Sequence, residues 1–317
     1  MTIKGIDVSK HQKAGNVNFK NLKNLGYDFV MLRAGYGKVL SQKDSAFESH
    51  YKAAKEAGLH IGAYHYSYAT TVSEAKQEAK CFLTWIKDKE LDYPVAFDIE
   101  DATQKKLTNS ERTEIAKAFL QTVEDTGYYV MLYSSASWLG SKFDMDMLSS
   151  YDVWCAAYVG SQDNIKKYYD GSYGMWQYSS SIVVPTVYSS RLDHNYAYKD
   201  YAKIIKENGL NNLKQTMPSA PSPAPSPTPE NDESIDLSDI ENWEPSKGDA
   251  VEVSNADVYI HYNLPQIRYK NITGIGIVTD YREGALHPLQ VNICPPSGKI
   301  YRGWVDEGAY KKPKESK

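Results

Sequence analysis

Eight short apolar segments, separated by stretches with helical periodicity, occupy the first two-thirds of the chain and limit its fold. In order between residues 3 and 198, they are IKGIDVS, FVMLRAGYG, HIGAYHYSYA, PVAFDIE, YYVMLYSS, DVWCAAY, YGMWQYS and YSSRLDHNYAY. Each is rich in the β-branched and aromatic residues that favour strands. Strands that alternate with helices form parallel β/α units, and eight of them predict an α/β fold with a closed, TIM-like barrel.

Two connecting segments carry clear helical signals. Thr71 with Glu74, and Thr108 with Glu111, have the spacing of a capping box, and each pair precedes an apolar face. The two faces consist of Ala75, Ala79, Phe82, Leu83 and Ile86, and of Ile115, Ala118, Phe119 and Val123. The connections around the seventh strand show no convincing helix, so we expect an irregular second half. A doubly wound open sheet is the alternative, but the Gly-rich phosphate turn that often accompanies it is missing.

A Pro- and Ser-rich segment divides the chain. MPSAPSPAPSPTPENDES, residues 217–234, should be an extended tether of ~3.1 Å per residue. We therefore predict a main domain at residues 1–213, a linker at 214–234 and a small domain at 235–317. The small domain is predicted to be all-β, because its short β-rich runs are broken by Gly and Pro.

Composition narrows the choice of partner. Residues 1–213 carry 25 basic and 25 acidic side chains, which argues against nucleic acid or an anionic membrane. The 26 Tyr against 7 Phe fit either packing at the core edge or an aromatic cleft for a polar polymer such as a glycan. Cys81, Cys155 and Cys294 are too scattered for a disulfide framework or a metal motif, and we expect them to be core residues.

Two carboxylates stand one residue apart in PVAFDIE. Alternate side chains of a strand face opposite sides, so Asp98 and Glu100 should point into the barrel at its carboxyl end. The same alternation turns Asp7 inward on the first strand and Asp193 inward on the eighth. Barrel closure makes those two strands neighbours, so four carboxylates are predicted to converge on one mouth.

Crowded carboxylates favour one particular chemistry. Like charges in a partly desolvated site raise at least one pKa, and a protonated carboxyl beside ionised ones can protonate a glycosidic oxygen. Three alternatives stay open: some acids only bond the backbone or Arg33, the D-x-E pair binds Mg²⁺ for phosphodiester chemistry, or the barrel binds glycans without catalysis. His65 is predicted to be a hydrogen-bonded strand histidine and not a metal ligand.

Several co-linear motifs carry a resemblance to a known family. GIDVSKHQ, FVMLRAGYG, GAYHYSYA, FDIE, WCAAY and MWQYS, in this order across residues 3–205, resemble the glycoside hydrolase family 25 lysozymes of the Chalaropsis type. The resemblance implies an irregular β/α barrel that cleaves the β-1,4 bond between N-acetylmuramic acid and N-acetylglucosamine in peptidoglycan. It implies no cofactor or metal ion, and therefore full activity in EDTA.

The resemblance also implies roles for individual residues. Glu100 would be the general acid, Asp98 would stabilise the reacting centre or orient the substrate's acetamido group, and Asp7 and Asp193 would complete the acidic cluster. The predicted substrate-binding residues are Tyr64, Tyr133, Trp154, Tyr158, Trp176, Gln177 and Arg33. Many members have Phe where this chain has Tyr66, which should alter packing and not chemistry. Whether a carboxylate or the substrate's acetamido group is the nucleophile stays open.

The small domain faintly resembles bacterial SH3-like modules that bind cell walls. MTIKGIDVSKHQ has no apolar signal-peptide core, and no apolar run approaches the ~18 residues of a membrane helix. We therefore expect synthesis in the host cytoplasm, no membrane partner, and action at the wall after release. This combination is typical of a phage or prophage endolysin, and an exported autolysin is the alternative.

Overall fold

The computed structural model describes residues 2–213, 250–259, 267–281, 289–294, 301–306 and 310–311. The chain divides into two compact units, Met1–Thr216 and Met217–Lys317. The predicted linker at 214–234 lies outside the described residues, and the predicted domain limits stay predictions.

The first unit is a closed barrel of eight strands that neighbour one another in chain order. The strands are β1 (Ile3–Val8), β2 (Phe29–Tyr36), β3 (His60–Tyr66), β4 (Val95–Asp98), β5 (Val130–Ser135), β6 (Asp152–Ala156), β7 (Met175–Val184) and β8 (Tyr188–Ala197). Seven of the predicted strand segments contain one of these strands and the seventh segment, residues 173–179, overlaps the first half of β7, so the prediction of a closed barrel is confirmed.

In residues 2–213 six helices and two short 3-10 helices connect the strands, and a seventh helix follows β8. The helices are α1 (Phe19–Asn24), α2 (Phe47–Glu56), α3 (Val72–Ile86), α4 (Asn109–Glu124), α5 (Ala136–Leu139), α6 (Gln162–Ile165) and α7 (Tyr201–Glu207), and the 3-10 helices are Leu40–Gln42 and Ala102–Lys106. The capping box of Thr108 and Glu111 forms in full at α4. At α3, Thr71 accepts from the Glu74 N–H, but the Glu74 carboxylate accepts from Thr70 instead of closing the box.

The last strand departs from the parallel pattern. β8 runs antiparallel to both β7 and β1, whereas the sequence analysis treated all eight strands as parallel units. Only residues 185–187 separate β7 from β8, and a parallel crossover needs a dozen residues or more. The predicted irregularity of the second half is therefore present, as an antiparallel hairpin and the short helices α5 and α6.

The barrel interior is packed below the carboxyl ends of its strands. Phe29 and Met31 fill the centre because two glycines leave room for them. A Cβ on Gly5 would lie 2.5 Å from the Phe29 ring, and one on Gly62 would lie 2.3 Å from Met31 Sδ. The outward faces of the strands pack on the helices, as where Phe97 stacks on Phe119 at 4.1 Å between ring centroids. The polar side chains that could carry a reaction are therefore expected at the carboxyl ends of the strands, above this packed interior.

The described part of the second unit is all β. Its strands are β9 (Ala250–Tyr259), β10 (Ile267–Tyr281), β11 (Leu289–Cys294), β12 (Tyr301–Val305) and β13 (Tyr310–Lys311). They form one antiparallel sheet in the order β10-β11-β12-β9-β13, and β10 also pairs with β9. In the described residues of the whole chain, none of the helices combines the length and apolarity needed to cross a membrane.

Candidate active site

An open cavity of about 220 Å³ lies at the carboxyl ends of the parallel strands. Its lining comes from the ends of β1 to β7, from β8 and from the loop after β1. The lining residues are Asp7, Val8, Ser9, His11, Gln12, Arg33, Tyr64, Tyr66, Asp98, Tyr133, Trp154, Tyr158, Gln177 and Asp193. Three of the four acids singled out in the sequence therefore face one space.

Strand closure brings Asp7 and Asp193 together. The two residues are register partners across the β1–β8 pair, and Asp7 is buried. Asp7 Oδ2 accepts two hydrogen bonds of 2.8 Å, from Gln177 Nε2 and Asn195 Nδ2. Amide groups from both strands of the β7–β8 hairpin thus fix this carboxylate in the cavity floor.

Asp98 ends β4 and is also buried. Its Oδ1 atom forms no hydrogen bond among the described residues. A buried carboxylate oxygen without a partner is costly, and Asp98 lines the cavity. Its free acceptor is therefore available to a group that enters there.

Glu100 follows two residues after β4 and does not line the cavity itself. It is partly exposed, and its Oε2 atom accepts from the Ser135 N–H at 3.1 Å. Its charge acts on Asp98 and on the Tyr133 hydroxyl. Glu100 therefore stands at the rim beside Asp98, between the cavity and solvent.

Burial raises the pKa of all four acids. It raises the pKa of Asp7 to about 8, with the charge of Asp193 adding to the effect and the two amide hydrogen bonds opposing it. The pKa of Asp193 rises to about 6. That of Asp98 rises well above its usual value through burial and the charges of Glu100 and Asp7, and burial also raises the pKa of Glu100. The cluster therefore retains protons at a pH at which isolated carboxyl groups have lost theirs.

The predicted aromatic residues fall into two groups. Trp154 and Tyr133 are 1% and 7% exposed and form the cavity floor, where Trp154 Nε1 donates to Asn195 at 2.8 Å. The hydroxyls of Tyr133 and Tyr158 both donate to Gln177 Oε1, at 3.0 and 2.6 Å. Tyr158 is 57% exposed and offers a ring to solvent. Trp154 supports the floor and cannot present its face as a stacking platform.

Tyr64 and Arg33 also reach the cavity. The Tyr64 ring meets Trp154 edge to face at 5.9 Å between centroids. Arg33 Nε donates to Asp44 at 2.7 Å, so its ion-pair partner is Asp44 and not one of the four acids. Of the alternative that some acids only bond the backbone or Arg33, the Arg33 part is not seen, whereas Glu100 does accept a backbone N–H.

Trp176 lies outside the cavity, contrary to its prediction as a substrate-binding residue. It packs in the outer core, and its Nε1 atom donates to the Ala157 carbonyl at 2.8 Å. Strand alternation is the reason, because the neighbouring Gln177 faces inward. His65 likewise faces outward, stacks on Trp85 and has Nε2 3.3 Å from Glu78 Oε2, without a hydrogen bond from either ring nitrogen. Its predicted hydrogen bond is therefore wrong.

Sequence analysis missed five lining residues, of which Val8 ends β1. Ser9, His11 and Gln12 belong to the loop after β1, where no periodic pattern indicates direction. Tyr66 lines the cavity and donates its hydroxyl to Asp101 Oδ2 at 2.9 Å; its inward position follows from the alternation that places Tyr64. The described part of the chain contains no group of three or more His, Cys, Asp or Glu side chains that could hold a metal ion.

Comparisons with known proteins agree with this geometry. The family model described as glycosyl hydrolases family 25 matches residues 6–187. The autolytic lysozyme of Clostridium acetobutylicum is 30% identical over 179 residues, which cover 56% of this chain and 51% of that enzyme. This chain therefore spans about half the length of that relative.

Solved structures agree with the fold. The crystal structure of the CTP1L endolysin has a TM-score of 0.55 and 28% identity, over 65% of this chain and 70% of that one. The modular autolysin LytC of Streptococcus pneumoniae, solved in complex with a synthetic peptidoglycan ligand, has a TM-score of 0.54 and 26% identity over 62% of this chain and 47% of that one. The motifs, the barrel with its cluster of acids and the family model that matches more than half of the sequence lead to one conclusion: the chain belongs to glycosyl hydrolases family 25.

Proposed function

We propose that this enzyme hydrolyses the β-1,4 bond between N-acetylmuramic acid and N-acetylglucosamine in peptidoglycan. The observation that carries the proposal is a cluster of four carboxyl groups with raised pKa values around one open, tyrosine-walled cavity. Glycosidic cleavage needs a carboxyl that is still protonated near neutral pH and a second carboxylate close to the reacting sugar. The synthetic peptidoglycan ligand of the similar autolysin LytC supports the substrate class.

The proposed roles follow from the positions of the acids. Glu100, at the rim with a raised pKa, donates its proton to the glycosidic oxygen. Asp98, with an unpartnered buried oxygen, accepts a hydrogen bond from the substrate's acetamido N–H or stabilises positive charge at the anomeric carbon. Asp7 and Asp193 keep the opposite side of the cavity acidic, and Gln177 fixes Asp7. Tyr64, Tyr133 and Tyr158 supply wall and hydroxyl contacts for the sugar.

The direct test compares Glu100→Gln with the wild type on purified cell walls. Loss of the acid should lower the rate of reducing-end release by ~10²–10⁴-fold with folding intact. Glu207→Gln is the matched control, because its side chain is 63% exposed on α7, which follows the end of the antiparallel β8 and bonds Asp152 at the start of β6, the end of the barrel opposite the cavity. A Glu100→Gln variant as fast as the wild type would overturn the assignment of the acid.

Mass spectrometry of the digested wall tests the bond. New reducing ends on muramic acid are expected, and reducing ends on glucosamine would contradict the proposed specificity. We expect the wild-type rate to be unchanged in EDTA, and its loss would support the metal-dependent phosphodiester alternative.

The proposed biological role is that of a phage or prophage endolysin that reaches the wall after a separate membrane pore opens. The 28% identity with the CTP1L endolysin supports it, while the similarity to the autolytic lysozyme supports an autolysin as the competing role. The enzyme is expressed in a bacterial cytoplasm with and without a pore-forming protein. Lysis only with the pore is expected of an endolysin, and lysis without it would favour the exported autolysin.

Residues 235–317 are proposed to be an SH3-like domain that binds the cell wall. Tethering through the linker would raise the local concentration of substrate at the catalytic unit. The all-β character of the described strands supports this proposal. The fragment 235–317, with folding checked by circular dichroism, is mixed with purified walls and sedimented. Its retention is expected, and a folded fragment left in the supernatant would remove the proposal.

A further inference from the structure

Three tyrosines continue the cavity wall outward at the ends of β2 and β3. Tyr66 lines the cavity, and its ring meets Tyr68 at 5.3 Å between centroids. Tyr68 in turn meets Tyr36 edge to face at 6.2 Å. We call Tyr36, Tyr66 and Tyr68 the tyrosine ridge. Tyr68 is 42% exposed, so the ridge offers aromatic surface to solvent directly beside the cavity.

Hydrogen bonds fix the Tyr66 hydroxyl and the backbone of Tyr66 and Tyr68. The Tyr68 N–H donates to Glu78 Oε1 at 2.9 Å, and Glu78 is itself buried beneath the loop. The Tyr66 hydroxyl donates to Asp101, and the Tyr66 carbonyl accepts from the Gly37 N–H at 3.1 Å. Aromatic rings fixed before binding lose little conformational entropy when a ligand stacks on them.

A cation lies at the outer end of the ridge. The Lys10 ammonium is 4.8 Å from the centroid of the Tyr36 ring, and the Lys10 side chain is exposed. Its backbone N–H donates to the buried Asp44 at 3.0 Å, which anchors the residue at this position. The Tyr36 end of the ridge therefore combines an aromatic face with the Lys10 charge and with Arg33 at 5.8 Å, whereas the Tyr66 end is bonded to the Asp101 carboxylate.

Charge separates the ridge from the cavity. The cavity contains Asp7, Asp98 and Asp193, with Glu100 at its rim, and the charge of the lining Arg33 is taken up by Asp44. Above the Asp193 pKa of about 6 an anionic substituent is therefore disfavoured there. Beside Lys10 the same substituent finds an opposite charge. A glycan strand that leaves the cavity along Tyr66 and Tyr68 would thus place its uncharged face on the rings and its carboxylate near Lys10.

We propose that the tyrosine ridge and Lys10 form an outer saccharide subsite, which takes a muramyl residue that carries no stem peptide and pairs its free lactyl carboxylate with the Lys10 ammonium. The proposal rests on the proposed function, because it assumes that a peptidoglycan strand occupies the cavity. It assigns to this edge a preference for long, anionic strands over short or uncharged ones.

The test uses the full chain and peptide-free glycan strands of defined length, with their lactyl carboxylates either native or converted to amides. Tyr68→Ala should raise KM about three- to ten-fold for long strands and leave the shortest cleaved strands unaffected, with little change in kcat. Lys10→Ala should raise KM about three- to five-fold for native strands and leave KM for the amidated strands unchanged. Tyr68→Leu, which keeps apolar bulk without a flat ring, replaces Tyr68→Ala if the latter fails to fold.

Two exposed residues elsewhere on the first unit provide matched controls. Tyr168 is 53% exposed beyond α6, and the Lys52 side chain is 78% exposed on α2. Tyr168→Ala and Lys52→Ala should match the wild type on every strand. If the ridge variants also match it on every strand, the subsite does not exist although the hydrolase does. An equal KM rise for native and amidated strands in Lys10→Ala would remove the carboxylate pairing. A wild type that cleaves no glycan strand would refute the proposed function instead.

Discussion

Replacing Asp7 by asparagine should make the protein more stable, and increasingly so as the pH rises. Burial raises the pKa of Asp7 from 3.8 to about 8. Between these values the folded protein holds a proton that the unfolded chain has released. Stability therefore falls with rising pH, by up to ~1.4 kcal/mol per pH unit for one such group.

Asparagine avoids this loss without disturbing the local hydrogen bonds. Its side-chain oxygen can still accept from Gln177 and Asn195, which both donate to Asp7 Oδ2. Between about pH 5 and about pH 7, the free energy of unfolding of Asp7→Asn should rise by on the order of 1–3 kcal/mol relative to that of the wild type. The lower end of this range allows for a wild-type proton that is partly shared with Asp193. The gain in stability should come with a loss of hydrolytic rate.

Urea unfolding followed by tryptophan fluorescence measures the effect. Trp85, Trp138, Trp154 and Trp176 report on the first unit. Asp163→Asn is the control, because that side chain is 91% exposed and its replacement should leave the pH dependence unchanged. A free energy of unfolding that varies with pH equally in wild type and Asp7→Asn would refute the reasoning, since it would mean that Asp7 is ionised in the folded protein throughout this range.

Three further expectations concern the acid and the scaffold. Burial raises the pKa of Glu100, and in its proposed role as general acid the protonated form is the active one. Initial rates on cell walls should therefore fall as the pH rises through that pKa, and rates that climb steadily to alkaline pH would contradict this. Gly140→Ala should lower the free energy of unfolding by ~1–3 kcal/mol, because a Cβ there would lie 1.7 Å from the Tyr168 carbonyl oxygen. An unchanged midpoint of thermal unfolding would disprove the clash. Asp152→Asn should lower the free energy of unfolding by ~1–3 kcal/mol and speed hydrogen exchange in α7, since the Asp152 carboxylate accepts from the Tyr201 hydroxyl at 2.8 Å. Hydrogen exchange in α7 equal to that of the wild type would show that this bond does not hold the helix.

Strand periodicity was enough to predict much of the barrel and the inward direction of its acids. Asp7 and Asp193 become register partners because closure of an eight-stranded barrel leaves no other neighbour for the first and last strands. The same period-2 rule places Trp176 and Gln177 on opposite faces, so the position of Trp176 could have been predicted from the sequence. The motif resemblance assigned both residues to the groove without regard to alternation.

Other features depend on information that periodicity does not contain. The direction of β8 is set by the length of the preceding turn, and the apolar pattern of a strand is the same in either direction. Ser9, His11 and Gln12 reach the cavity through a loop that hydrogen bonds shape, such as the one from the Ser9 N–H to Gln12 Oε1 at 3.0 Å. Glu100 depends on where β4 ends, and the ends of short strands are set by tertiary contacts.

The turn between β7 and β8 is fastened to the start of the chain. The Asn18 N–H donates to the Val187 carbonyl at 2.8 Å, Asn21 Nδ2 donates to the Thr186 carbonyl at 3.1 Å, and Val187 is buried. These bonds tie the turn of the β7–β8 hairpin to the start of α1, so the two segments are expected to move together. For the proposed glycan substrate, selectivity on that side of the barrel would then depend on fit to a preformed surface more than on movement of the hairpin.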